Sequence, residues 1–191
     1  MSRLPETLLL DGRARVTYLA DYLPPGRADA LLTWCIDRLP WESETYSFGG
    51  KPVATLRKSC AFGAPGMAYR YAGVTRKALP LPPALGTVVD GPYNFVLANL
   101  YPDGKAAIGA HADDEEDIVP GSPIAALSLG QRRTFVLTAK ETGKRAAEVT
   151  LEHGSLLVME GDTQQRFKHS VPRQPRLTLP RVSLTFRQLV C

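Results

Sequence analysis

The stretch that decides the fold is PIAALSLGQRRTFVLTA, residues 123–139. It contains two short runs that favour β-strands, separated by a turn at Gly130. Similar runs recur through the second half of the chain, at 93–101, 108–113, 147–152, 154–159 and 181–190. Several short strands at this spacing favour a sandwich or barrel over a parallel sheet. We therefore predict a double-stranded β-helix, the jelly roll.

The first half of the chain has a different pattern. Residues 24–39 predict an amphipathic helix, because apolar residues recur at helical spacing after two prolines, and a short helix is expected at about 82–90. Helices are expected only in this half, so the predicted class is α+β. We predict a single domain over 1–191, with its jelly-roll core at about 93–191. Residues of about 42–80, irregular and rich in aromatic and basic side chains, are expected to form a lid over one mouth of that core.

The composition of the chain limits the classes of protein to which it can belong. A chain of 191 residues with 44% hydrophobic and 22% charged residues fits one soluble globular domain. No stretch approaches the roughly 20 apolar residues of a membrane span, and the N-terminus lacks a secretory signal. Three scattered cysteines fit a reducing compartment. We expect an intracellular monomer, cytoplasmic in a bacterium and nuclear in a eukaryote, that does not associate with membranes.

Charge is unevenly distributed along the chain. The net charge of +4 permits a polyanionic partner without establishing one. Basic residues cluster at Arg132-Arg133 and from Lys140 to Arg145. The second cluster is expected at the tip of a hairpin, where it could bind phosphates or simply be exposed surface charge. The one dense acidic run is 113–117.

Two of the three histidines suggest a metal site. His111 and Asp113 are two positions apart, which on a strand directs both side chains to one face. His169 lies in the later β-rich region, where a strand could return beside the first. Two imidazoles and one carboxylate are typical of non-haem Fe(II) oxygenases. The pair alone also occurs by chance, and His153, before a probable turn glycine, is interpreted as structural.

The last strand suggests an anion site. Its alternation places Val182, Leu184 and Phe186 on one face and a polar row on the other: Arg181, Ser183, Thr185 and Arg187. Arginine pairs with carboxylates in a fork, so this row suits a dicarboxylic acid. Asn99 and Tyr101 offer a second polar pair on another strand. The alternative is the solvated outer face of an edge strand.

Five segments in this order resemble the AlkB family of nucleic-acid dealkylating dioxygenases, closest to its DNA-acting branch. They are NFVLANLYPDG (94–104), IGAHADDEE (108–116), PGSPIAALSLGQRRTF (120–135), HGSLLVMEGDTQQRFKHSVP (153–172) and PRVSLTFR (180–187).

The resemblance implies Fe(II), O2 and 2-oxoglutarate as cofactor and co-substrates, with His111, Asp113 and His169 as iron ligands. It implies 2-oxoglutarate contacts from Asn99, Tyr101, Arg181, Thr185 and Arg187. Two positions depart from the family pattern: Ser183 replaces the usual Asn, and Phe167 replaces the usual Trp. We still expect Ser183 to lie beside 2-oxoglutarate.

The family demethylates N1-methyladenine and N3-methylcytosine in nucleic acid, releasing formaldehyde, succinate and CO2, so alkylated DNA, or RNA, is the partner implied. A flipped base needs stacking partners. The lid resembles the family's nucleotide-recognition segment more loosely than the core does. It supplies Arg57, Phe62, Tyr69 and Tyr71 as substrate contacts, with Phe48 entering the gap left by the base. Plain hydrophobic packing would explain these aromatics equally well.

Asp114 and Glu115, beside the ligand Asp113, could favour a cationic base or form a solvated turn. Two other functions stay open. The same chemistry could act on RNA, a protein side chain or a small molecule. A non-catalytic jelly-roll binding module is the alternative of another class, and the intact iron set and arginine row argue against it.

Overall fold

The computed structural model describes residues 6–48, 51–71 and 74–190. Its main sheet has nine strands in the order β1-β2-β13-β10-β15-β8-β4-β3, with β7 paired to β4. Its members are β1 (Glu6–Asp11), β2 (Ala14–Leu19), β3 (Glu42–Phe48), β4 (Lys51–Gly63), β7 (Leu79–Pro80), β8 (Phe95–Tyr101), β10 (Ile124–Gly130), β13 (Ser155–Glu160) and β15 (Arg181–Arg187).

A smaller sheet runs β12-β11-β14-β9, and a hairpin forms a third sheet. The smaller sheet contains β9 (Ile108–His111), β11 (Arg133–Ala139), β12 (Arg145–Leu151) and β14 (Phe167–Val171). The hairpin joins β5 (Ala68–Tyr71) to β6 (Val74–Lys77). The helices are α1 (Pro25–Arg38), α2 (Pro83–Gly86) and α3 (Thr163–Arg166).

The core has two layers, one on each face of the main sheet. Between the sheets, Leu97 and Leu157 of the main sheet pack with Phe135, Leu137 and Leu151 of the smaller sheet. On the other face, α1 and α2 cover an apolar surface that includes Val96, Leu127 and Leu184. The two packed antiparallel sheets confirm the jelly roll, and the space between them holds the polar residues of the site.

The α1 helix follows from its sequence. Pro25 stands at the first helical position, where its fixed φ fits and its missing N–H is not needed. Ala28, Leu31 and Cys35 then face the main sheet. The short helix expected at about 82–90 is the single turn of α2.

Three features differ from the sequence prediction. A one-turn helix, α3, lies in the second half, so the expectation that helices occur only in the first half is wrong. β14 was not among the predicted runs, and its central residue is His169. β9 ends at His111, so Asp113 lies in the following loop rather than on a strand extending to 113.

The region predicted as a lid contributes to the main sheet. Lys58–Gly63, the second half of β4, pairs with β8, whereas the β5–β6 hairpin forms a separate sheet. Whether 42–80 acts as a lid stays a prediction. In the part of the chain that the structure describes, no helix has the length and apolar character needed to cross a membrane.

Candidate metal and dicarboxylate site

Strand pairing brings the three predicted metal ligands together. β9 and β14 are antiparallel neighbours, and His111 lies directly opposite His169, with ring centroids 4.2 Å apart. Asp113 follows two residues after the end of β9, where the chain bends back toward both rings. One ligand atom from each of the three residues lies within 4.8 Å of the others. This geometry fits a single metal ion held on one face.

The ionisation states also suit a metal. Burial lowers the pKa of His169 to about 3 and lowers that of His111, so both imidazoles are neutral near pH 7, the form that binds metals. His111 Nδ1 donates to the carbonyl of Gly109 at 2.9 Å, which places the proton of the neutral ring on Nδ1 and the lone pair on Nε2. Nε2 lies 3.7 Å from Asp113 Oδ1.

Asp113 is held as a carboxylate. Burial would raise its pKa, but the neighbouring Arg187 guanidinium outweighs that effect and the pKa falls to about 2. Arg187 Nη2 donates to Asp113 Oδ2 at 2.7 Å. The other oxygen, Oδ1, is buried without a hydrogen-bond partner among the described residues. An ionised, half-satisfied carboxylate beside two neutral imidazoles is the donor set that a divalent cation completes.

A fourth residue supports Asp113 and was missed by the sequence reasoning. The Gln164 side-chain carbonyl accepts a hydrogen bond from the Asp113 backbone N–H at 3.0 Å, and its amide donates to Met159 Sδ. Gln164 belongs to α3, the turn that leads into β14. Gln164 lies within the segment 153–172 that resembles the family, but the sequence indicated no role for it, because that role depends on a contact 51 positions away in the chain.

The polar row of β15 lies inside the molecule. β15 is a central strand between β10 and β8, and Arg181 and Arg187 are only 2% and 3% exposed. The alternative of a solvated edge strand is therefore wrong. Opposite the row, Tyr101 pairs in register with Arg181, and Asn99 with Ser183.

One pocket joins this row to the metal ligands. Its polar lining comprises all the residues predicted for metal and co-substrate, together with Arg57; these are Arg57, Asn99, Tyr101, His111, Asp113, His169, Arg181, Ser183, Thr185 and Arg187. Its apolar wall includes Leu97, Phe135 and Val171. Phe135 stacks on His169, with ring centroids 5.4 Å apart.

The two arginines of the row have different surroundings. Arg187 is paired with Asp113, whereas Arg181 Nη2 donates to two hydroxyls, Ser128 Oγ at 2.8 Å and Ser183 Oγ at 3.3 Å. Nε and Nη1 of both arginines, and Asn99 Oδ1, are buried without hydrogen-bond partners among the described residues. Among those residues, Arg187 has a carboxylate partner and Arg181 has none. Because unsatisfied buried donors are costly, the Arg181 end of the pocket fits an anionic group.

Residues predicted to contact substrate fall into separate places. Phe62 lies on the opposite face of the main sheet, buried in the layer that packs with α1 and α2, so its predicted substrate contact is wrong. Successive side chains of a strand alternate in direction, and Arg57 points to the pocket instead. Phe48 and Tyr71 end β3 and β5, and their side chains lie outside the described part of the structure.

Tyr69 is not available as a stacking surface in this structure. Its side chain is fully buried, the Arg187 guanidinium lies 5.0 Å from its ring centre, and Phe95 packs at 5.3 Å. Its hydroxyl donates to Glu115 Oε2 at 2.7 Å. Burial raises the pKa of both Tyr69 and Glu115. Tyr69 therefore connects the arginine beside the metal ligand to the acidic loop.

The acidic run divides in two. Asp114 is exposed and pairs with Lys140 at 2.7 Å, whereas Glu115 is half-buried and bonded to Tyr69.

His153 is structural, as predicted: Nδ1 accepts the Gly130 backbone N–H at 2.8 Å, and Nε2 lies 3.1 Å from Asp29.

A jelly roll with two histidines and one aspartate beside buried arginines defines the class of Fe(II)- and 2-oxoglutarate-dependent oxygenases. The family model of the 2OG-Fe(II) oxygenase superfamily matches residues 15–187. The chain is 39% identical over 155 residues to the mouse DNA oxidative demethylase ALKBH2, covering 74% of this chain and 65% of the relative. It is 30% identical over 192 residues to the human alpha-ketoglutarate-dependent dioxygenase alkB homolog 3, covering 92% and 66%.

The human DNA oxidative demethylase ALKBH2 is also 39% identical, and the chain spans only 59% of its length. The solved structure of OsALKBH1 superposes with a TM-score of 0.64 over 91% of this chain and 97% of that one, at 18% identity, a likeness of fold alone. The chain therefore belongs to the 2OG-Fe(II) oxygenase superfamily and, within it, to the AlkB family. Fe(II), 2-oxoglutarate and O2 are the cofactor and co-substrates of this family.

Proposed function

We propose that the protein oxidatively demethylates alkylated bases of the N1-methyladenine and N3-methylcytosine type in DNA. The observation that carries this proposal is the single pocket that joins the His111–Asp113–His169 cluster to the buried Arg181. It offers one end for a divalent metal and another for a carboxylate. The printed names of the mouse and human relatives, DNA oxidative demethylase, support the choice of substrate.

His111, Asp113 and His169 would hold the iron. Arg187 keeps Asp113 ionised and fixes one of its oxygens, and Gln164 fixes its backbone. The remaining oxygen of Asp113 and the His111 Nε2 face the metal position. The carboxylate and the rings are thus oriented before metal arrives, which lowers the cost of binding it.

Arg181 would receive the distal carboxylate of 2-oxoglutarate through its unsatisfied Nε and Nη1. Ser128 and Ser183 hold the guanidinium at its other edge. The other polar groups of this lining, Asn99, Tyr101 and Thr185, would orient the co-substrate along the row.

When bound, iron with O2 and 2-oxoglutarate supplies the oxidant for hydroxylating an N-methyl carbon, after which formaldehyde leaves and the base is restored. This chain's residues position the reactants and exclude water. Leu97, Ile108, Phe135 and Val171 form an apolar wall beside the metal ligands. Such a wall lowers the local dielectric constant and keeps solvent from competing reactions.

Glu115 is the acidic group that we assign to the cationic base. Asp114 is neutralised by Lys140, whereas Glu115 is linked to the site through Tyr69 and Arg187. A carboxylate near the methylated ring favours the positively charged lesion over the neutral, repaired base. Arg57, which lines the pocket, would contact the nucleotide, and residues of about 42–80 would act as the recognition lid.

The test is turnover by the purified chain with Fe(II), 2-oxoglutarate and methylated oligonucleotides. We expect formaldehyde and succinate in equal amounts, lost in H111A and H169A. The matched control is H153A, since His153 lies outside the site and its replacement should leave iron binding intact. Absence of turnover on every methylated DNA and RNA, with iron bound, would refute the proposal.

A competition experiment resolves the substrate. Equal amounts of N1-methyladenine in DNA and in RNA are offered together, and we expect DNA to be consumed first. Faster consumption of the RNA would indicate that RNA, rather than DNA, is the preferred substrate. Succinate formation without demethylation of either would indicate a protein or small-molecule substrate, and no succinate at all would indicate a non-catalytic module.

A further inference from the structure

Arg133 does not behave as the sequence suggested. It belongs to the adjacent arginines that looked like part of a basic surface, yet its side chain is only 1% exposed, whereas Arg132 is exposed. It begins β11 on the inward-facing side, two residues before Phe135 of the pocket wall. A fully buried guanidinium is expensive unless its donors are satisfied.

The donors of Arg133 are satisfied by two loops. Nη1 donates to the Asp103 carbonyl at 3.2 Å, and Nη2 donates to the carbonyls of Ala106 and Pro172, each at 2.8 Å. Nε donates to Gln174 Oε1 at 3.2 Å. Arg133 thereby joins the loop after β8 to the loop after β14.

All four acceptors are neutral. Among the described residues, no carboxylate forms an ion pair with Arg133. The Asp103 carboxylate offsets the burial of this charge only in part, because burial has the larger effect on the pKa of Arg133. Its charge lies beside that of Arg181, since both guanidinium carbons lie over the Tyr101 ring, at 5.5 Å and 5.1 Å from its centre. Burial lowers the pKa of Arg133 and Arg181, and Arg133 lowers that of Arg181 further.

Two buried cations therefore share one end of the pocket, and neither has an ion-pair partner among the described residues. Arg181 lines the pocket, whereas Arg133 lies against the Tyr101 ring and is not part of the lining. In a low-dielectric interior such a pair attracts a negative group more strongly than one cation alone. Since Arg133 does not line the pocket, we expect its effect on the co-substrate to pass through its electric field and through Tyr101.

We propose that Arg133 is a positioning residue that makes this end of the pocket selective for dicarboxylates: it fixes Tyr101 and the two loops, and it adds a second positive charge behind Arg181. The inference rests on the proposed function, since it takes 2-oxoglutarate to be the ligand. It predicts that removing the charge of Arg133 weakens binding of a 2-oxo acid with a distal carboxylate and spares one without it.

The experiment compares 2-oxoglutarate with 2-oxobutyrate, which lacks the distal carboxylate. Each is titrated into the anaerobic Fe(II) protein, and the visible absorption of the iron–2-oxo acid chelate reports binding. We expect R133Q to weaken 2-oxoglutarate on the order of 10-fold and 2-oxobutyrate by less than about 2-fold. R133K, which keeps the charge, should retain the wild-type ratio of the two affinities although it melts at a lower temperature.

Two controls separate charge from structure. R132Q removes an exposed neighbouring charge and should change neither affinity. Q174A removes one acceptor of Arg133, loosening the same loops with the charge kept, and should lower the melting temperature without changing the ratio. Equal weakening of both acids in R133Q, or loss of the ratio in R133K, would overturn the proposal.

If R133Q does not fold, R133M removes the same charge with an apolar side chain of similar length. A purely structural role predicts equal weakening of both acids in R133M and hence an unchanged ratio, whereas the proposal predicts a selective loss of 2-oxoglutarate affinity. The outcome is also distinguishable from failure of the proposed function. A wild-type chain that binds no 2-oxoglutarate contradicts the function itself. A chain that binds it, with R133Q unchanged in selectivity, contradicts only the role of Arg133.

Discussion

The two ends of β15 hold the same residue type in opposite electrostatic settings. At one end Arg187 donates to the carboxylate of Asp113 at 2.7 Å, and both side chains are almost fully buried. At the other end Arg181 donates to hydroxyls and lies against an aromatic ring, with no carboxylate partner among the described residues. Each arginine also has two buried nitrogens, Nε and Nη1, without a hydrogen-bond partner among the described residues. Both arginines point into one pocket.

This difference assigns the two arginines different tasks. A buried ion pair whose partner is a metal ligand acts on the metal, because it sets the charge and direction of that ligand. A buried cation without an anion is a site that a ligand completes. We therefore propose that the polar row of β15 does not act as a two-arginine clamp. Arg187 would support the iron end, and Arg181 would bind the distal carboxylate.

The largest expected effect comes from replacing Arg187, at the end of β15 where the arginine is paired with Asp113 (the paired end). R187Q leaves Asp113 as a buried carboxylate without its counter-ion, so we expect the metal-free protein to lose about 3–5 kcal/mol of unfolding free energy. Chemical denaturation with and without a divalent metal measures this. Added Fe(II) or Mn(II) should restore part of the loss, because a cation replaces the missing charge.

The double variant D113N/R187Q is the control for that prediction. With the carboxylate neutral, the missing guanidinium matters less, and the double variant should be more stable than R187Q alone. Equal loss in both would show that Arg187 contributes packing rather than charge, and the contrast between the two ends would fail.

Replacing Arg181, at the end of β15 that has no carboxylate partner among the described residues (the unpaired end), should affect stability in the opposite way. R181M removes a buried charge that has no anion, so the metal- and co-substrate-free protein should melt no lower than the wild type. Its affinity for 2-oxoglutarate should fall on the order of 100-fold, since a charge-assisted contact is lost. Thermal melts with and without 2-oxoglutarate, beside the exposed-arginine control R176M, measure both. A strongly destabilised R181M would show that this end is structurally paired as well.

Much of this site could be predicted from sequence because its residues fall at the period of a strand. Alternation in 181–187 placed Arg181 and Arg187 on one face, and the structure places both in one pocket. The amphipathic spacing of 24–39 likewise predicted α1, observed at Pro25–Arg38. Local periodicity determines which side chains share a face.

What sequence could not supply are contacts between distant segments. Arg187 and Asp113 are 74 positions apart, and no pattern within either segment indicates that they pair. Arg133 looked like surface charge, because its burial depends on two loops that close over it. Phe62 was predicted to contact substrate, yet it packs on the opposite face of the sheet. A strand buried on both sides lacks the polar alternation that would reveal this orientation.

A smaller effect should distinguish the two hydroxyls that hold Arg181. Ser128 Oγ accepts at 2.8 Å and Ser183 Oγ at 3.3 Å from the same nitrogen. We expect S128A to weaken 2-oxoglutarate by about 5-fold and S183A by about 2-fold, the range of one neutral hydrogen bond. Titration of each variant, followed through the chelate absorption, compares them. A larger effect in S183A would mean that Ser183 contacts the co-substrate itself.

The smallest effect tests whether burial, rather than distance, makes the paired end strong. Lys140 and Asp114 also meet at 2.7 Å, but their side chains are 27% and 53% exposed. Water and salt screen such a pair, so K140Q should change the unfolding free energy by less than about 1 kcal/mol. Denaturation at low and high salt, beside R187Q, measures the difference. A loss in K140Q as large as that in R187Q would mean that exposure does not separate the two pairs. A small, salt-dependent change in the unfolding free energy of K140Q would show that the Arg187–Asp113 pair is strong because it is buried beside the metal position.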